Sequence, residues 1–211
     1  MEVVIPAPAS LPSKPSTHQR ILQAAKKLFA SRGYEHSSTS AIARSAGTSE
    51  SQLMKHFGSK SGLLEAIFNE GWGGITEEAR AVSQNLSSPA EKLAAISGCV
   101  VRRLESDQEL KRLMLLEGRR IRREGPTVAL TEGFLGFVGL IDSVLDEMRT
   151  LKLLRPELNP QAVRSALMGM LEGVMRDRYL ADQLGFPADF QAPHLQEMLG
   201  LALASFTVPR T

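Results

Sequence analysis

The stretch from residue 39 to residue 64, TSAIARSAGTSESQLMKHFGSKSGLL, carries apolar residues at helical spacing on segments too short to be stable alone. Ile42, Ala43 and Ala46 form one apolar stripe on a helix of about two turns, and an isolated helix of that length is marginal in water. Upstream, residues 17–31 repeat the same spacing and offer an apolar face to cover it. The sequence therefore predicts a small bundle of helices that are stable only together.

Turn and capping residues divide this stretch into helices joined by a tight turn. Gly33 ends the first helix, Ser38 is suited to cap the second by accepting a backbone hydrogen bond, and Gly47 supplies the turn. A third helix from about residue 49 to residue 56 then buries Leu53 and leaves short or hydrogen-bonding side chains outside. This arrangement is typical of the helix-turn-helix motif, whose second helix reads base edges in the DNA major groove.

A fourth helix is predicted to begin at Ser59 and Lys60. Its exposed backbone amides and the positive end of its dipole favour a phosphate group, and Lys60 adds a full positive charge. Contacts of this kind fix the register of a protein on DNA without reading its sequence.

The distribution of charge agrees with a nucleic-acid contact in this region. The 211 residues have a formal net charge of only +2 at pH 7. Residues 17–60, however, hold seven basic and two acidic residues, a net charge of +5. The rest of the chain holds 18 basic and 21 acidic residues, a net charge of −3. Positive charge is therefore concentrated in the segment that is predicted to face phosphate.

The segment GYEHSSTSAIARSAGTSESQLMKHFGSKSGLLEAIF resembles the N-terminal domain of the TetR family of transcriptional regulators. The resemblance extends from about Arg20 to Phe68 and rests on a glycine-aromatic pair after helix one, Ile-Ala in helix two, an Ala-Gly turn, Leu-x-x-His-Phe in helix three, and Lys before Leu-Leu in helix four. It implies an all-α, TetR-like protein with a disordered tail (residues 1–16), a three-helix DNA-binding domain with the helix-turn-helix (17–62), and a helical ligand-binding and dimerisation domain (63–211).

The resemblance also implies a function. A TetR-like homodimer would bind a near-palindromic operator in double-stranded DNA as a repressor, and a small hydrophobic effector would release it. Two alternatives stay open. In the first, the chain is an activator or a ligand-independent DNA-binding regulator. In the second, it is a protein-interaction module that uses the helix-turn-helix surface to bind protein.

Carried over position by position, the family's DNA contacts fall at the starts of helices two, three and four and at the end of helix three. They are Thr39, Ser40, Thr48, Ser49, Glu50, Ser51, Gln52, Lys55, His56 and Lys60. Two residues depart from the family pattern. Met54 stands where a tyrosine is usual; it cannot donate a hydrogen bond to phosphate, and we expect it to fill the core. Glu50 places a negative charge among the contacts, where it either accepts from a cytosine amino group or repels the DNA backbone.

The rest of the chain is predicted to be helical. Gly71, Gly73 and Gly74 interrupt the apolar pattern of helix four, so a kink or an end is expected there. Further helices are expected to start near residues 88, 107, 126 and 160, and a last one to run from about residue 193 to residue 206.

Three features bear on where the protein resides. Residues 1–16 include four prolines and lack the basic and apolar regions of a signal peptide, so a disordered tail is expected. No apolar run is long enough to span a bilayer, and no membrane partner is predicted. Cys99 is the only cysteine, which excludes an intrachain disulfide and favours the reducing cytoplasm. Cys99 itself is expected to be a small buried apolar residue.

The helix predicted from residue 160 to residue 184 is the expected dimer helix. It has an apolar face, and two glycines one turn apart let another backbone approach closely. Each glycine costs roughly 1 kcal/mol relative to alanine in a helix interior, which suggests a packing role. The resemblance pairs this helix with the last one in a four-helix interface; the alternative is an ordinary buried helix of a monomer. The predicted interface residues are Val163, Leu167, Gly169, Met170, Gly173, Val174 and Leu199.

A ligand cavity is predicted near Gly133, Gly136 and Gly139, which recur every third residue beside two phenylalanines. Such a surface either lines a cavity or packs tightly against a neighbouring helix, and the sequence leaves both open. Methionines elsewhere would supply adaptable apolar walls or fill the core. The predicted pocket residues are Met114, Phe134, Phe137, Met168, Glu172 and Met175, although Glu172 is also placed to pair with Arg176 one turn away.

Four arginines, Arg119, Arg120, Arg122 and Arg123, surround Ile121 ahead of a Gly-Pro pair. They either complement the negative end of a helix dipole or bind an anionic effector such as a phosphorylated acyl thioester.

The sequence contains no catalytic pattern. His18, His36, His56 and His194 are scattered, and no metal-binding pair, phosphate-binding glycine loop or nucleophile elbow occurs. We therefore predict that the chain is not an enzyme and uses neither a metal ion nor a cofactor.

Overall fold

The computed structural model describes residues 15–118, 130–190 and 192–208, and these residues form nine α-helices. In chain order they are α1 (Thr17–Arg32), α2 (Thr39–Ser45), α3 (Glu50–Phe57), α4 (Lys60–Ser83), α5 (Pro89–Ser106), α6 (Gln108–Glu117), α7 (Glu132–Thr150), α8 (Pro160–Leu184) and α9 (Ala192–Phe206). The predicted all-α class is confirmed. None of the described helices combines the length and the apolar character needed to cross a membrane.

Some predicted features fall outside the described residues. Most of the expected tail, residues 1–14, lies there, as do the expected helix start near residue 126 and the four arginines between residues 119 and 123. The other expected starts agree with α5, α6 and α8, which begin at Pro89, Gln108 and Pro160.

Serine side chains cap the first three helices. Ser16, Ser38 and Ser49 each accept a hydrogen bond from a backbone N–H in the first turn of the helix that follows, at 3.2 Å in all three cases. Each bond satisfies one of the amides that a helix start leaves without a partner. Gly33 caps the end of α1 with a φ angle of 87°, and Gly47, in the turn after α2, has a φ angle of 64°. Glycine adopts such positive φ angles at no steric cost.

Helix α4 continues through Gly71, Gly73 and Gly74, so the prediction that it ends there is wrong. A β-carbon at Gly71 would lie 2.8 Å from Cδ1 of Leu110 in α6. A β-carbon at Gly133 of α7 would lie 2.9 Å from the backbone nitrogen of Gly73. These glycines permit close packing of helices, and that packing offsets the roughly 1 kcal/mol that each costs within a helix. The predicted domain division after residue 62 falls inside this continuous helix.

Helix α8 buries one face in the protomer and leaves another open. Of the predicted dimer-interface residues, Val163, Leu167 and Leu199 belong to the hydrophobic core of the protomer, at 3%, 8% and 6% exposure. Helix α8 also packs against α7 and α9. A β-carbon at Gly169 or Gly173 would meet no heavy atom within 4 Å, so the two glycines lie on the open face. The other two predicted interface residues, Met170 and Val174, are half-buried beside the core.

Candidate nucleic-acid interface and ligand cavity

Helix α3 turns one apolar face inward and a polar face outward. Leu53 is completely buried and Phe57 packs half-buried against the same core. None of the ten predicted DNA contacts is buried. Those that are exposed are Ser40, Ser49, Glu50, Ser51, Gln52, Lys55 and His56, and those that are half-buried are Thr39, Thr48 and Lys60.

A hydrogen bond joins the starts of α2 and α3. The hydroxyl of Thr39, the first residue of α2, donates to Oε1 of Glu50, the first residue of α3. The Glu50 carboxylate also lies in the first turn of α3, where the positive end of the helix dipole stabilises a negative charge. The structure therefore makes two of the predicted DNA contacts partners of each other.

Ser49 differs from Thr39 in how its hydroxyl is used. Its oxygen accepts the backbone N–H of Gln52 at 3.2 Å. A hydroxyl has one donor hydrogen and two acceptor lone pairs, so capping leaves the Ser49 hydrogen able to donate to a phosphate. The Thr39 hydrogen is already donated to a carboxylate.

Lys60 is held in place at the start of α4. Its Nζ lies 4.3 Å from the ring centroid of Tyr34 and 3.4 Å from the backbone oxygen of Glu35. The Tyr34 ring is itself packed 5.1 Å from that of Phe29 in α1. Lys60 was predicted from the sequence to contact phosphate, but this cation–π contact was not predicted, although the aromatic residue after Gly33 was an available signal.

Met54 is 43% exposed, so the prediction that it fills the core is wrong. It follows the buried Leu53, and one step along a helix turns a side chain by about a quarter of a revolution away from the core. His56 stays exposed, with its ring 5.8 Å from that of His18 in α1. Met54 thus adds an apolar group to the outer face of α3.

A mostly apolar cavity of about 180 Å³ lies between α4, α5, α6, α7 and α8. All six predicted pocket residues line it: Met114, Phe134, Phe137, Met168, Glu172 and Met175. The cavity is also lined by residues that were not predicted from the sequence: Phe68, Trp72, Val100, Leu104, Leu115, Gly118 and Leu171. Most of these are aliphatic residues at ordinary core positions, and only the lone tryptophan carried a signal that could have been used.

Aromatic rings form one wall of the cavity. The Trp72 ring lies 5.1 Å from Phe134, edge to face, and 4.9 Å from Phe137. The glycine beside them packs tightly, since a β-carbon at Gly133 would lie 2.3 Å from the backbone oxygen of Asn69. Each of the two predicted roles of this segment is thus filled by different residues. Gly133 packs tightly against α4, and the two phenylalanines line the cavity.

Glu172 is the only charged side chain among the described residues that line the cavity. It is half-buried in α8. Arg176, one turn further along, contacts the carboxylate of Asp177 at 3.2 Å. The cavity can thus hold a hydrophobic molecule.

A helix-turn-helix with a polar outer face, joined by one long helix to a helical domain with an apolar cavity, is the architecture of many transcription regulators that bind DNA. Comparison with known proteins finds a family match for the N-terminal helices. Residues 21–67 match the family model described as bacterial regulatory proteins, tetR family. The match covers the helix-turn-helix and the start of α4.

Known relatives share the fold. The chain is 24% identical to the fatty acid metabolism regulator protein of Bacillus subtilis (strain 168) over 166 residues, which are 79% of this chain and 85% of that protein. The structure of the fatty acid degradation regulator FadR from Bacillus halodurans aligns with a TM-score of 0.77 at 23% identity. The aligned region covers 90% of this chain and 96% of the FadR chain. FadR from Bacillus subtilis in complex with stearoyl-CoA also has a TM-score of 0.77, at 22% identity, over 88% of this chain and 97% of its own. These relatives are regulators and not enzymes.

Proposed function

We propose that this protein is a cytoplasmic, homodimeric repressor that binds a near-palindromic operator and is released by a hydrophobic effector. The observation that supports this most strongly is the course of α4. Phe68 and Trp72 line the cavity from this helix, and Lys60, at its first residue, is among the predicted DNA contacts. A ligand that shifts α4 would therefore also shift Lys60.

For operator binding, the exposed face of α3 supplies the base-reading groups. Ser51 and Gln52 are short or hydrogen-bonding, as base edges require, and Lys55 offers a positive charge to phosphate. Two such faces in a symmetric dimer would reach half-sites about 34–36 Å apart, or at a related spacing.

The open faces of α8 and α9 support a dimer. Gly169 and Gly173 leave room for another backbone on α8, and α9 exposes Met198 and Leu201 to 51% and 67%. Large exposed apolar side chains beside an open helix face are typical of an interface.

Sedimentation velocity of a Gly173→Arg variant tests this interface. We expect a monomer where the wild-type protein is a dimer, because the arginine meets open space in the protomer but would collide with a partner helix. Gly139→Arg is the matched control, since Gly139 is also open but lies on α7. A wild-type protein that sediments as a monomer at micromolar concentration would contradict the proposal.

The effector we propose is a long-chain acyl thioester of coenzyme A. The cavity wall is apolar except for Glu172, which suits an acyl chain. FadR from Bacillus subtilis, which shares this fold, is known in complex with stearoyl-CoA. The four arginines at residues 119–123 follow the cavity residue Gly118 in the sequence, and arginine suits phosphate groups.

Selection against a random duplex DNA library tests DNA reading. We expect a near-palindromic enriched site and an affinity that falls steeply with salt, because each phosphate contact releases counterions. If no site were enriched and binding were insensitive to salt, the protein-interaction alternative would take precedence. If a site were enriched but no effector altered binding, the chain would be a ligand-independent regulator.

Trp72 gives a direct assay for the effector. It is the only tryptophan in the chain and it lines the cavity, so intrinsic fluorescence reports occupancy. We expect saturable quenching or a spectral shift with stearoyl-CoA and none with coenzyme A alone. Equal responses to stearate and stearoyl-CoA would restrict the proposal to the acyl chain. No response to any of the three, together with unchanged DNA affinity, would refute an acyl effector.

A further inference from the structure

We propose that Glu50 limits the affinity of this protein for DNA by withholding the Thr39 hydroxyl from phosphate. The inference rests on the proposed operator binding and goes beyond it, because it assigns an opposing role to a residue on the recognition helix itself. The contact that carries it is the hydrogen bond from Thr39 to Glu50.

The donor inventory of Thr39 makes the two roles exclusive. A threonine hydroxyl has one hydrogen, and a phosphate oxygen can only accept. While that hydrogen is donated to Glu50, Thr39 cannot donate to DNA. The capping serines, Ser38 and Ser49, accept backbone N–H groups instead, so their hydrogens are not used by the caps.

The charge of Glu50 acts in the same direction. Glu35 and Glu50 are the only acidic residues between residues 17 and 60. Glu50 is exposed on α3, the helix that is to enter the groove between two rows of phosphates. Phosphates are present in DNA of every sequence, so this opposition weakens binding everywhere and leaves the base contacts of Ser51 and Gln52 to decide which sites are occupied.

A double-mutant cycle on Thr39 and Glu50 tests the inference. The probe is a short fluorescein-labelled duplex of random sequence, measured by anisotropy at low salt, beside the duplex enriched by selection. The variants are Glu50→Ala, Thr39→Val and the double variant. Glu35→Ala is the matched control, since it makes the same change in net charge in the same domain.

We expect Glu50→Ala to bind both duplexes about fivefold tighter, which is the range of one hydrogen bond gained. Glu35→Ala should change affinity less than about twofold, as expected for a screened surface charge. Thr39→Val alone should have a similarly small effect, because its hydroxyl is already engaged. In the Glu50→Ala background the same change should remove most of the gain.

Glu50→Gln separates the hydrogen bond from the charge. Its amide oxygen can still accept from Thr39, so we expect a gain smaller than that of Glu50→Ala. Thr39 and Glu50 are not buried, and circular dichroism should show unchanged helix content in all variants.

Three results would overturn the inference. The first is an unchanged or weaker affinity of Glu50→Ala for the random duplex. The second is a loss confined to the enriched duplex, which would make Glu50 a base-reading residue. The third is an equal effect of Thr39→Val in both backgrounds, which would show that the residues are not coupled. In all three cases the wild-type protein still binds DNA, so only the inference fails. A wild-type protein without salt-dependent DNA binding would instead refute the proposed function.

Discussion

The Nζ of Lys26 in α1 lies 2.6 Å from Oδ2 of Asp107, the residue that caps α6. The other oxygen of the same carboxylate accepts the backbone N–H of Leu110 at 3.0 Å. Helix α6 carries Met114 in the cavity wall. The ion pair therefore links α6, which lines the cavity, to α1, which packs against α2 and α3, by a route that does not pass along α4.

Two substitutions of Asp107 separate its two contacts. Asp107→Asn keeps an oxygen that can cap α6 but loses the ion pair, and we expect a loss of less than about 1 kcal/mol in the free energy of unfolding. Asp107→Ala loses both contacts and should cost about 1 kcal/mol more. Urea unfolding measures the difference, and equal losses would show that the cap adds nothing to stability.

The Asp107→Asn variant also tests whether the ion pair transmits effector binding. We expect DNA affinity without effector to stay within about twofold of wild type, because a single partly exposed ion pair contributes little. Release of DNA by stearoyl-CoA should require more effector, because α6 would be less tightly joined to α1. An unchanged release curve, measured by anisotropy of labelled DNA, would leave α4 as the route of coupling.

Two glycines of α7 should respond oppositely to alanine. Gly133→Ala would place a β-carbon 2.3 Å from the Asn69 backbone oxygen, so we expect a loss of about 1–3 kcal/mol as α4 and α7 move apart. Gly139→Ala meets no heavy atom within 4 Å and should be neutral or stabilising by up to about 1 kcal/mol. Thermal or urea unfolding of the two variants distinguishes them, and similar losses would contradict the close approach.

The helix-turn-helix could be predicted from the sequence because its signals are local. Ser38 and Ser49 cap helices within three residues, and Gly47 makes its turn through its own backbone conformation. The cavity residues were partly predictable for another reason. Bulky side chains such as Phe134 and Met168 suit a cavity wall, so their types alone made them candidates.

Features that depend on tertiary packing could not be predicted in the same way. Gly71 was predicted to interrupt its helix. The structure shows instead that a side chain at this position would collide with Leu110, which is almost 40 residues away in the sequence. Val163 and Leu167 form an apolar face, but the sequence does not show whether that face meets the protomer core or a partner. The contact between Thr39 and Glu50 depends on how the turn between α2 and α3 orients the two helix starts.

Filling the cavity should block effector response without affecting DNA binding. Met168 is half-buried in the cavity wall, and Met168→Trp would occupy space that the effector needs. We expect DNA affinity within about twofold of wild type and at least a roughly tenfold higher effector concentration for release. Leu135→Trp is the control, since Leu135 is 52% exposed on α7. Equal effector responses in the two variants would place the effector elsewhere.

Cys99 should make stability depend on alkaline pH. Its side chain is completely buried in α5, as expected from the sequence. Burial raises the pKa of the Cys99 thiol above the ordinary 9.0, and Glu78 acts in the same direction, whereas the Arg102 guanidinium opposes them. The unfolded chain therefore loses this proton at lower pH than the folded protein does. Between the two pKa values the folded state binds more protons, so the free energy of unfolding falls as pH rises.

The measurement is urea unfolding of wild type and Cys99→Ala from about pH 8 to about pH 10, where lysine and tyrosine also begin to titrate. Those groups are common to both proteins, and any cavity left by the missing sulfur adds an offset that does not vary with pH. The stability of wild type relative to the variant should therefore decrease across this range. In the native state iodoacetamide should also react slowly with the thiol, and urea should accelerate the reaction, because only the thiolate attacks. A parallel pH dependence in the two proteins, or rapid native alkylation, would show that the thiol ionises as it does in the unfolded chain.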